Sequence, residues 1–232
     1  MIINGFQKMT LLDYPGRVAC TLFTAGCNFR CPFCHNALLV TDVRPEDRMD
    51  VEEILAYLAK RKNILEGVAI TGGEPLLQPD IEDFLKRIRE LGYPVKLDTN
   101  GSDPEKLARI LDAGLVDYVA MDVKNRPEKY AETAGVPGLD LGPIRESIDL
   151  LMRSASLPDY EFRTTVVKEF HTVEDVSAAA EWISGASRYY LQNFVDSGAL
   201  IGADMHPVPH ETLREMAAAA RVFCPSAQTR GI

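Results

Sequence analysis

Three cysteines near the start of the chain have a spacing that could hold a metal cluster. Cys27, Cys31 and Cys34 lie in the segment 24–36, TAGCNFRCPFCHN, directly after an apolar run. Four thiolates fill the iron sites of a [4Fe–4S] cluster, so three thiolates would leave one iron open to a ligand from outside the protein. The spacing therefore predicts an iron–sulfur cluster with one open iron.

Three other chemistries fit parts of the same segment, and the residues alone leave them open. Cys31-Pro-Phe-Cys34 has the spacing of a thioredoxin-like dithiol, which gives Cys27 no role. Cys31 and Cys34 followed by His35 match a c-type haem attachment motif, whose chemistry normally follows export. Zinc could take the three thiolates together with His35. A zinc-stabilised binding protein without catalytic activity is therefore an alternative hypothesis.

Short motifs lie at the ends of three later predicted strands. Each contains an acidic residue, and two of them also contain glycine. They are Thr71-Gly72-Gly73-Glu74-Pro75, Leu97-Asp98-Thr99-Asn100-Gly101 and Met121-Asp122-Val123-Lys124. Each of the first two could be a simple turn, but paired glycines also let the backbone approach a ligand closely. Asp98 and Asp122 would repel each other unless a cation or a buried base lies between them.

The elements that would position these motifs alternate between strand and helix. Apolar runs predict six strands, at 18–24, 67–71, 94–99, 116–123, 161–168 and 189–194. Helical spacing predicts helices at 50–62, 80–91, 103–113, 141–154, 173–183 and 211–222. The alternation favours an α/β fold with a parallel sheet, whose chemistry lies at the carboxyl ends of the strands.

The number of units favours an incomplete barrel. A complete eight-fold barrel takes about 250 residues. Six units in 232 residues predict a partial (β/α)6 TIM-like barrel with the cysteine-bearing loop after its first strand. We expect one domain over residues 1–232.

Composition excludes several classes of function. The net charge is −9, from 25 basic and 34 acidic residues, which argues against general nucleic-acid binding. The chain has no apolar run of the about 18 residues that a membrane span needs and no signal-peptide layout at its start. Five cysteines, an odd number, make a disulfide framework a poor interpretation. We expect a cytoplasmic protein with no membrane role.

The cysteine motif with an aromatic residue before its last cysteine resembles the signature of the radical S-adenosylmethionine (SAM) superfamily. The stretch from Asp13-Tyr14-Pro15-Gly16 to Asn36 is similar to the activating enzymes of glycyl-radical enzymes. Within them it most resembles the group that activates anaerobic ribonucleoside-triphosphate reductase, which is itself similar to pyruvate formate-lyase activating enzyme. The similarity covers about residues 13–194 and weakens after the fifth predicted strand.

The resemblance implies an activity, cofactors and partners. It implies reductive cleavage of SAM by one [4Fe–4S] cluster, because no cysteine lies between Cys34 and Gly72. It further implies hydrogen abstraction from a glycine of a partner enzyme, an anaerobic ribonucleotide reductase or a formate-lyase-like enzyme. A flavodoxin- or ferredoxin-type donor would supply the electron. A radical SAM enzyme that acts on a small-molecule or nucleoside-related substrate is the alternative within the same superfamily.

The resemblance also implies roles for residues, and no catalytic residue is expected outside the cluster and SAM sites. Cys27, Cys31 and Cys34 would be the cluster ligands. SAM contacts would come from Phe33 beside the adenine, Asn36, the motif residues Gly72, Gly73 and Glu74 at the methionyl amino group, Asp98, Thr99 and Asn100, Lys124 near the methionyl end, Arg163 at the carboxylate, and Gln192. Asp98, Thr99 and Asp122 would hold a monovalent cation.

Two positions have a competing interpretation or depart from the family pattern. On the residues alone, Arg163 could simply pair with Glu161 or another surface acid. Formate-lyase activators have a histidine where this chain has Gln192. Cys20 and Cys224 are expected to be buried or incidental thiols.

Overall fold

The apolar runs form a single eight-stranded sheet in the computed structural model, which describes residues 1–154, 157 and 159–230. Its strands are β1 (Ile3–Thr10), β2 (Ala19–Thr24), β3 (Gly67–Gly72), β4 (Val95–Thr99), β5 (Tyr118–Asp122), β6 (Asp159–Val166), β7 (Tyr189–Asn193) and β8 (Gln228–Arg230). The strands pair in chain order, β1 with β2 antiparallel and β2 through β8 parallel. In the part of the chain that the structure describes, β1 and β8 are the two edges of an unclosed sheet.

The α/β partial-barrel prediction is confirmed, and all six predicted strands are present as β2 to β7. The prediction missed both edge strands. β1 (INGFQKMT) lacks an alternation of apolar and polar residues, and β8 has only three residues. The cysteine loop therefore follows the second strand of the chain, which is the first of the parallel strands. The prediction of one domain over 1–232 includes residues outside the described ranges and stays a prediction.

Helices connect the strands. They are α1 (Ala37–Thr41), α2 (Val51–Lys60), α3 (Ile81–Glu90), α4 (Pro104–Asp112), α5 (Pro127–Thr133), α6 (Gly142–Arg153), α7 (Val173–Trp182) and α8 (His210–Ala220), with short 3₁₀ helices at Pro45–Asp47 and Pro75–Leu77. The six predicted helices are present, and α1 and α5 were not predicted. Side-chain caps fix several starts: Asp50 accepts from the backbone N–H of Glu52, and Thr172 forms a capping box with Asp175. No helix among the described residues is long and apolar enough to cross a membrane.

The two faces of the sheet differ in polarity. Leu22, Ile70, Leu97 and Val119 are neighbours across four strands, and all are fully buried. Successive side chains in a strand point to opposite faces, and the alternate positions of β4, β5 and β6 carry several charged residues. They include Lys96, Asp98, Asp122, Glu161 and Arg163. One face thus carries an apolar core, and the other carries a column of charged groups.

Candidate functional site

One cavity at the carboxyl ends of the strands brings the predicted site residues together. All fifteen of them line it: Cys27, Cys31, Phe33, Cys34, Asn36, Gly72, Gly73, Glu74, Asp98, Thr99, Asn100, Asp122, Lys124, Arg163 and Gln192. The motifs come from β2 to β7, so their side chains meet because parallel strands end at the same edge of the sheet. Their individual roles toward a cluster or SAM stay predictions.

Backbone hydrogen bonds from three distant segments hold the cysteine loop over the cavity. The Gly26 N–H donates to Leu39 O at 2.7 Å, and the Arg30 N–H donates to Ala134 O at 2.8 Å. Pro32 O accepts from the N–H of Gly202 at 2.7 Å. The loop conformation is therefore set by tertiary contacts with three segments, which the spacing of its cysteines does not encode.

The paired glycines of the motif at 71–75 allow the close approach of two backbones. The Gly73 N–H donates to Thr24 O, and the Glu74 N–H donates to Gly26 O, each at 2.8 Å. A Cβ at Gly73 would lie 2.0 Å from Gly26 O, and a Cβ at Gly72 would lie 2.4 Å from the Thr24 backbone. The glycines are thus required for packing the β3 loop against the cysteine loop, whatever else they contact.

Gly73→Ala should destabilise the protein by about 2–3 kcal/mol, because the new methyl group overlaps a backbone carbonyl that cannot rotate away. Thermal or denaturant unfolding measures the cost. Gly198→Ala is the matched control, since Gly198 has a φ of +79° but nothing within 4 Å of an added Cβ. It should cost only about 1 kcal/mol, for the left-handed backbone. Equal costs for the two variants would contradict the steric argument.

Burial disfavours ionisation of two of the motif cysteines, Cys27 and Cys31, in the free chain. Cys31 is 8% exposed, and burial raises its pKa, with the charge of Lys124 acting in the opposite direction. Burial likewise raises the pKa of Cys27 to about 12. A bound cationic centre deprotonates coordinating thiols outright. All three motif cysteines line one cavity, and a cluster bound there would itself bring the charge that ionises Cys27 and Cys31.

The described side chains do not form a site for a single metal ion. Within residues 1–154, 157 and 159–230, no three Cys, His, Asp or Glu side chains gather around one point as a metal ion requires. A cuboidal cluster is larger than an ion, and its ligands lie correspondingly farther apart. His35, the proposed fourth zinc ligand, stacks on Phe194 with ring centroids 5.5 Å apart.

Arg163 lies between the two carboxylates at the floor of the cavity. Its Nη1 donates to Asp98 Oδ2 at 3.2 Å and its Nε to Asp122 Oδ1 at 3.1 Å. Lys96 pairs with Asp98, and Lys124 pairs with Asp122 at 2.9 Å. The interpretation of Arg163 as a partner of Glu161 is therefore wrong.

These bases decide the ionisation of both carboxyl groups. Burial acts to raise their pKa values, but the positive charges outweigh it. Arg163 and Lys96 lower the pKa of Asp98, while Lys124 and Arg163 lower that of Asp122 to about 2. Buried bases thus separate the two acids, which is the second of the two possibilities that the sequence allowed. Three bases against two acids leave a formal surplus of one positive charge beneath the cavity.

Glu74 joins the motif at 71–75 to the motif at 97–101. It is 1% exposed, and its Oε1 accepts from the Leu76 N–H at 3.0 Å and from the Thr99 hydroxyl at 2.8 Å. Its Oε2 accepts from the Asn100 N–H at 2.6 Å. The carboxylate therefore holds the end of β4 against the loop that follows β3, a role that the motif alone did not indicate.

Glu74 should make stability depend on pH. Burial raises the pKa of its carboxyl to about 7, against hydrogen bonds from Asn100, Leu76 and Thr99 that lower it. The folded pKa is above the unfolded value of 4.5, so the folded state holds the proton more tightly. This contribution is fully present below pH 4.5 and is lost as the pH rises through 7.

Glu74→Gln removes that titration. From pH 5 to pH 8, the unfolding free energy of the variant should gain roughly 2–3 kcal/mol relative to wild type. Denaturant unfolding at both pH values measures it. Glu146→Gln, on the exposed side of α6, is the control. A difference between Glu74→Gln and wild type that stays constant with pH would contradict the assignment.

The cavity includes five residues that the sequence reasoning did not assign to it: Phe29, His35, Val40, Thr71 and Thr165. Thr165 follows Arg163 by two positions on β6, so strand alternation places both on one face. Thr71 belongs to the glycine motif. From the sequence, His35 was considered only as part of a haem attachment motif or as a zinc ligand. Phe29 and Val40 give no signal apart from their apolar character.

A buried histidine supports the cavity from behind. His171 is 4% exposed, and its Nε2 lies 2.8 Å from Lys124 O. Its Nδ1 accepts from the Val167 N–H at 3.1 Å. Because Nδ1 is the acceptor, Nε2 carries the proton and donates to Lys124 O. No role was assigned to His171 from the sequence. In the structure, its hydrogen bond to the Lys124 carbonyl stabilises the backbone at Lys124.

The cysteines outside the motif are not near the cavity lining. Cys20 and Cys224 are fully buried, and all five cysteines are free thiols in the described chain. The Cys224 thiol donates toward the carbonyls of Ala180 and Ile183. Both thiols are thus core residues, as expected from the sequence.

The partial barrel, with cysteines and glycines meeting at the carboxyl ends of its strands, defines the class of protein. The family model described as "Radical SAM superfamily" matches residues 21–183, and the chain belongs to that superfamily. It is a radical SAM enzyme of the oxidoreductase type.

Individual relatives narrow the comparison. A Methanocaldococcus jannaschii protein, whose name assigns it provisionally to the glycyl-radical enzyme activating enzymes, is 32% identical over 100% of this chain and 96% of its own length. The pyruvate formate-lyase-activating enzyme of Clostridium pasteurianum is 33% identical over 53% of this chain and 52% of its own. The match thus spans nearly all of the first relative and about half of the second.

A solved structure agrees with the fold. SuiB of Streptococcus suis, bound to its precursor peptide SuiA, superposes with a TM-score of 0.71 over 91% of this chain and 48% of SuiB, at 15% identity. The same protein bound to S-adenosylmethionine gives a TM-score of 0.68. At such low identity the likeness establishes the fold alone.

Proposed function

We propose that this protein activates a glycyl-radical enzyme by removing a hydrogen atom from a glycine of that partner. The observation that carries the proposal is the single cavity in which three free cysteines meet the glycine, aspartate and lysine motifs. Full-length similarity to the M. jannaschii relative supports the choice of partner class. A [4Fe–4S] cluster with SAM, when bound, supplies a 5′-deoxyadenosyl radical as the hydrogen acceptor.

In this proposal Cys27, Cys31 and Cys34 hold three irons and leave the fourth for SAM. Lys124 and Arg163, the two bases that line the cavity, attract the carboxylate of the methionyl group. The close-packed backbone at Gly72 and Gly73 offers polar groups to its amino group. Each of these side chains binds or orients a cofactor, and none has to transfer a proton.

The remaining cavity residues complete the SAM site in this proposal. Phe33 offers an apolar face to the adenine. Gln192 offers a hydrogen bond to the ribose or adenine in place of the histidine of formate-lyase activators. Asn36, whose Nδ2 donates to Gly72 O at 3.0 Å, fixes the glycine loop and lines the cavity. A monovalent cation at Asp98, Thr99 and Asp122 would have to compete with Arg163 for both carboxylates.

The partner, by the same resemblance, is an anaerobic ribonucleotide reductase or a formate-lyase-like enzyme. A flavodoxin- or ferredoxin-type protein would deliver the electron. We place the reaction in the cytoplasm, where cysteines stay reduced. The five free thiols of the chain agree with that compartment.

Electron paramagnetic resonance tests the proposal. Anaerobically reconstituted protein, a reductant, SAM and a candidate glycyl-radical enzyme should together give a carbon-centred radical on the partner. With the partner's glycine deuterated at Cα, the label should appear in 5′-deoxyadenosine. A partner whose radical glycine is replaced by alanine is the control and should give neither signal. SAM cleavage without a partner radical across such candidates would contradict the proposal and favour a small-molecule substrate.

A further inference from the structure

The sulfur of Cys27 faces two N–H donors in the structure. The backbone N–H of Phe29 points at it from 3.3 Å, and the side-chain Nδ2 of Asn100 lies 3.8 Å away. The Phe29 donor belongs to the cysteine loop itself. Asn100 comes from the end of β4, and it is the donor that a side-chain substitution can remove.

The hydrogen-bond network fixes which end of the Asn100 amide faces the sulfur. Its Oδ1 accepts from the Ser102 N–H at 2.9 Å, and its Nδ2 donates to Asn28 Oδ1 at 2.9 Å. If the Asn100 amide were flipped, its Nδ2 would face the Ser102 N–H, so that two donors would meet. Its Oδ1 would face Asn28 Oδ1, so that two acceptors would meet. The nitrogen is therefore the group beside Cys27.

The amide is also rigidly held. Asn100 is 5% exposed, and its backbone N–H donates to Glu74 Oε2 at 2.6 Å. Asn28, its side-chain partner, is itself fixed by donating from Nδ2 to the Ser102 hydroxyl at 2.8 Å. The donor near the sulfur is thus preorganised by three neighbours before any cluster binds.

We propose that Asn100 is a positioning residue that raises the reduction potential of the cluster by donating a hydrogen bond to the Cys27 sulfur. The proposal rests on the proposed function only in taking Cys27, Cys31 and Cys34 as the ligands of a [4Fe–4S] cluster. Hydrogen bonds to cluster sulfurs are among the terms that set these potentials. An N–H donor stabilises the reduced cluster more, because reduction places additional negative charge on the sulfurs.

This role differs from the SAM contact that the resemblance implies for Asn100. A donor to the sulfur acts whether or not SAM is present. A residue that only contacts SAM would change SAM binding and leave the potential of the SAM-free cluster unaltered. The two roles therefore separate in a measurement made without SAM.

Spectroelectrochemical titration of the reconstituted protein without SAM tests the proposal. Asn100→Ala should shift the one-electron reduction equilibrium about tenfold toward the oxidised cluster, which corresponds to ~59 mV. Asn100→Asp keeps the acceptor for Ser102 but places a carboxylate oxygen near the sulfur, and it should shift the potential further in the same direction. Ser102→Ala keeps the Asn100 donor and the backbone N–H of residue 102 and removes only the hydroxyl to which Asn28 donates, so it should shift the potential much less than Asn100→Ala.

Three outcomes would overturn the proposal. One is an unchanged SAM-free potential in both Asn100 variants, with only their SAM affinity reduced. Another is a shift of the same size in Ser102→Ala. The third is failure of both Asn100 variants to assemble a cluster although circular dichroism shows them folded, because a tuning residue leaves assembly intact. None of these readouts uses the partner enzyme, so the proposed function and this proposal can fail independently.

Discussion

Replacing any one of Cys27, Cys31 and Cys34 with alanine should abolish the formation of 5′-deoxyadenosine from SAM in the anaerobically reconstituted, dithionite-reduced protein. All three cysteines line one cavity. With only two of these thiolates, a cluster would lack one of its three protein ligands. Each variant should also lose most of its bound iron and sulfide, and with them the brown colour. Chromatographic quantification of 5′-deoxyadenosine, together with iron and sulfide analysis, measures both effects.

Cys20→Ala and Cys224→Ala are matched controls within the same chain. Both cysteines are fully buried and lie outside the cavity lining. Each control should lose some stability through a small core vacancy and keep both its cluster and its activity. Wild-type product from any of the three motif variants, or loss of the cluster in either control, would contradict the assignment of ligands.

Arg163→Met should destabilise the protein by about 2–3 kcal/mol, because it removes the base that lies between Asp98 and Asp122 and leaves each acid with one lysine. Methionine roughly conserves the length of the side chain, so lost charge compensation rather than lost volume would account for the effect. The variant should also bind SAM more weakly, since the surplus positive charge beneath the cavity disappears. Denaturant unfolding and equilibrium binding of SAM to the reconstituted protein measure the two effects.

Arg153→Met is the matched surface control. Arg153 pairs with Asp149 one helical turn away on α6, at 3.5 Å, and its side chain is 80% exposed. Its replacement should change stability by no more than about 0.5 kcal/mol. A loss of stability no larger than that of Arg153→Met would contradict the role of Arg163 as the base between Asp98 and Asp122.

The central sheet was predictable because its strands are apolar runs separated by clear helical patterns. Residues 67–71 and 94–99 are such runs, and each is followed by a helix with a cap or a glycine stop. The two edge strands, β1 and β8, were not predictable from apolar runs. Arg230 on β8 forms two hydrogen bonds with the buried Glu161, at 2.8 and 2.7 Å, but a three-residue strand has no periodicity to detect.

The members of the site were predictable because parallel strands end at one edge, which makes short motifs in distant parts of the sequence neighbours. The hydrogen-bond and ion-pair partners of these residues within the site were not predictable from the sequence. Glu161 and Arg163 share a face of β6, which suggested a pair, yet Glu161 bonds to Arg230 and to the Tyr118 hydroxyl. Arg163 instead reaches Asp98 and Asp122 on the two preceding strands. Pairing between strands depends on register, and a single sequence does not give the register of parallel strands.

The same limit applies to Glu74 and Asn100. Sequence placed both beside SAM through their motifs, but their hydrogen bonds join one motif to another: Glu74 to Asn100, and Asn100 to Asn28 and Cys27. These contacts require the loops after β2, β3 and β4 to converge at a fixed spacing. The backbone approach at Gly73, where Gly26 O leaves no room for a Cβ, sets part of that spacing.

Mössbauer spectroscopy of the ⁵⁷Fe-reconstituted protein tests the central claim most directly, namely that three cysteines leave one iron of a cluster free to bind SAM. The account predicts the spectrum of a [4Fe–4S] cluster in which one iron of the four changes its parameters when SAM is added, while the other three keep theirs. Four irons that all stay unchanged on addition of SAM, or a chain that takes up a single zinc ion and no iron–sulfur cluster, would contradict it.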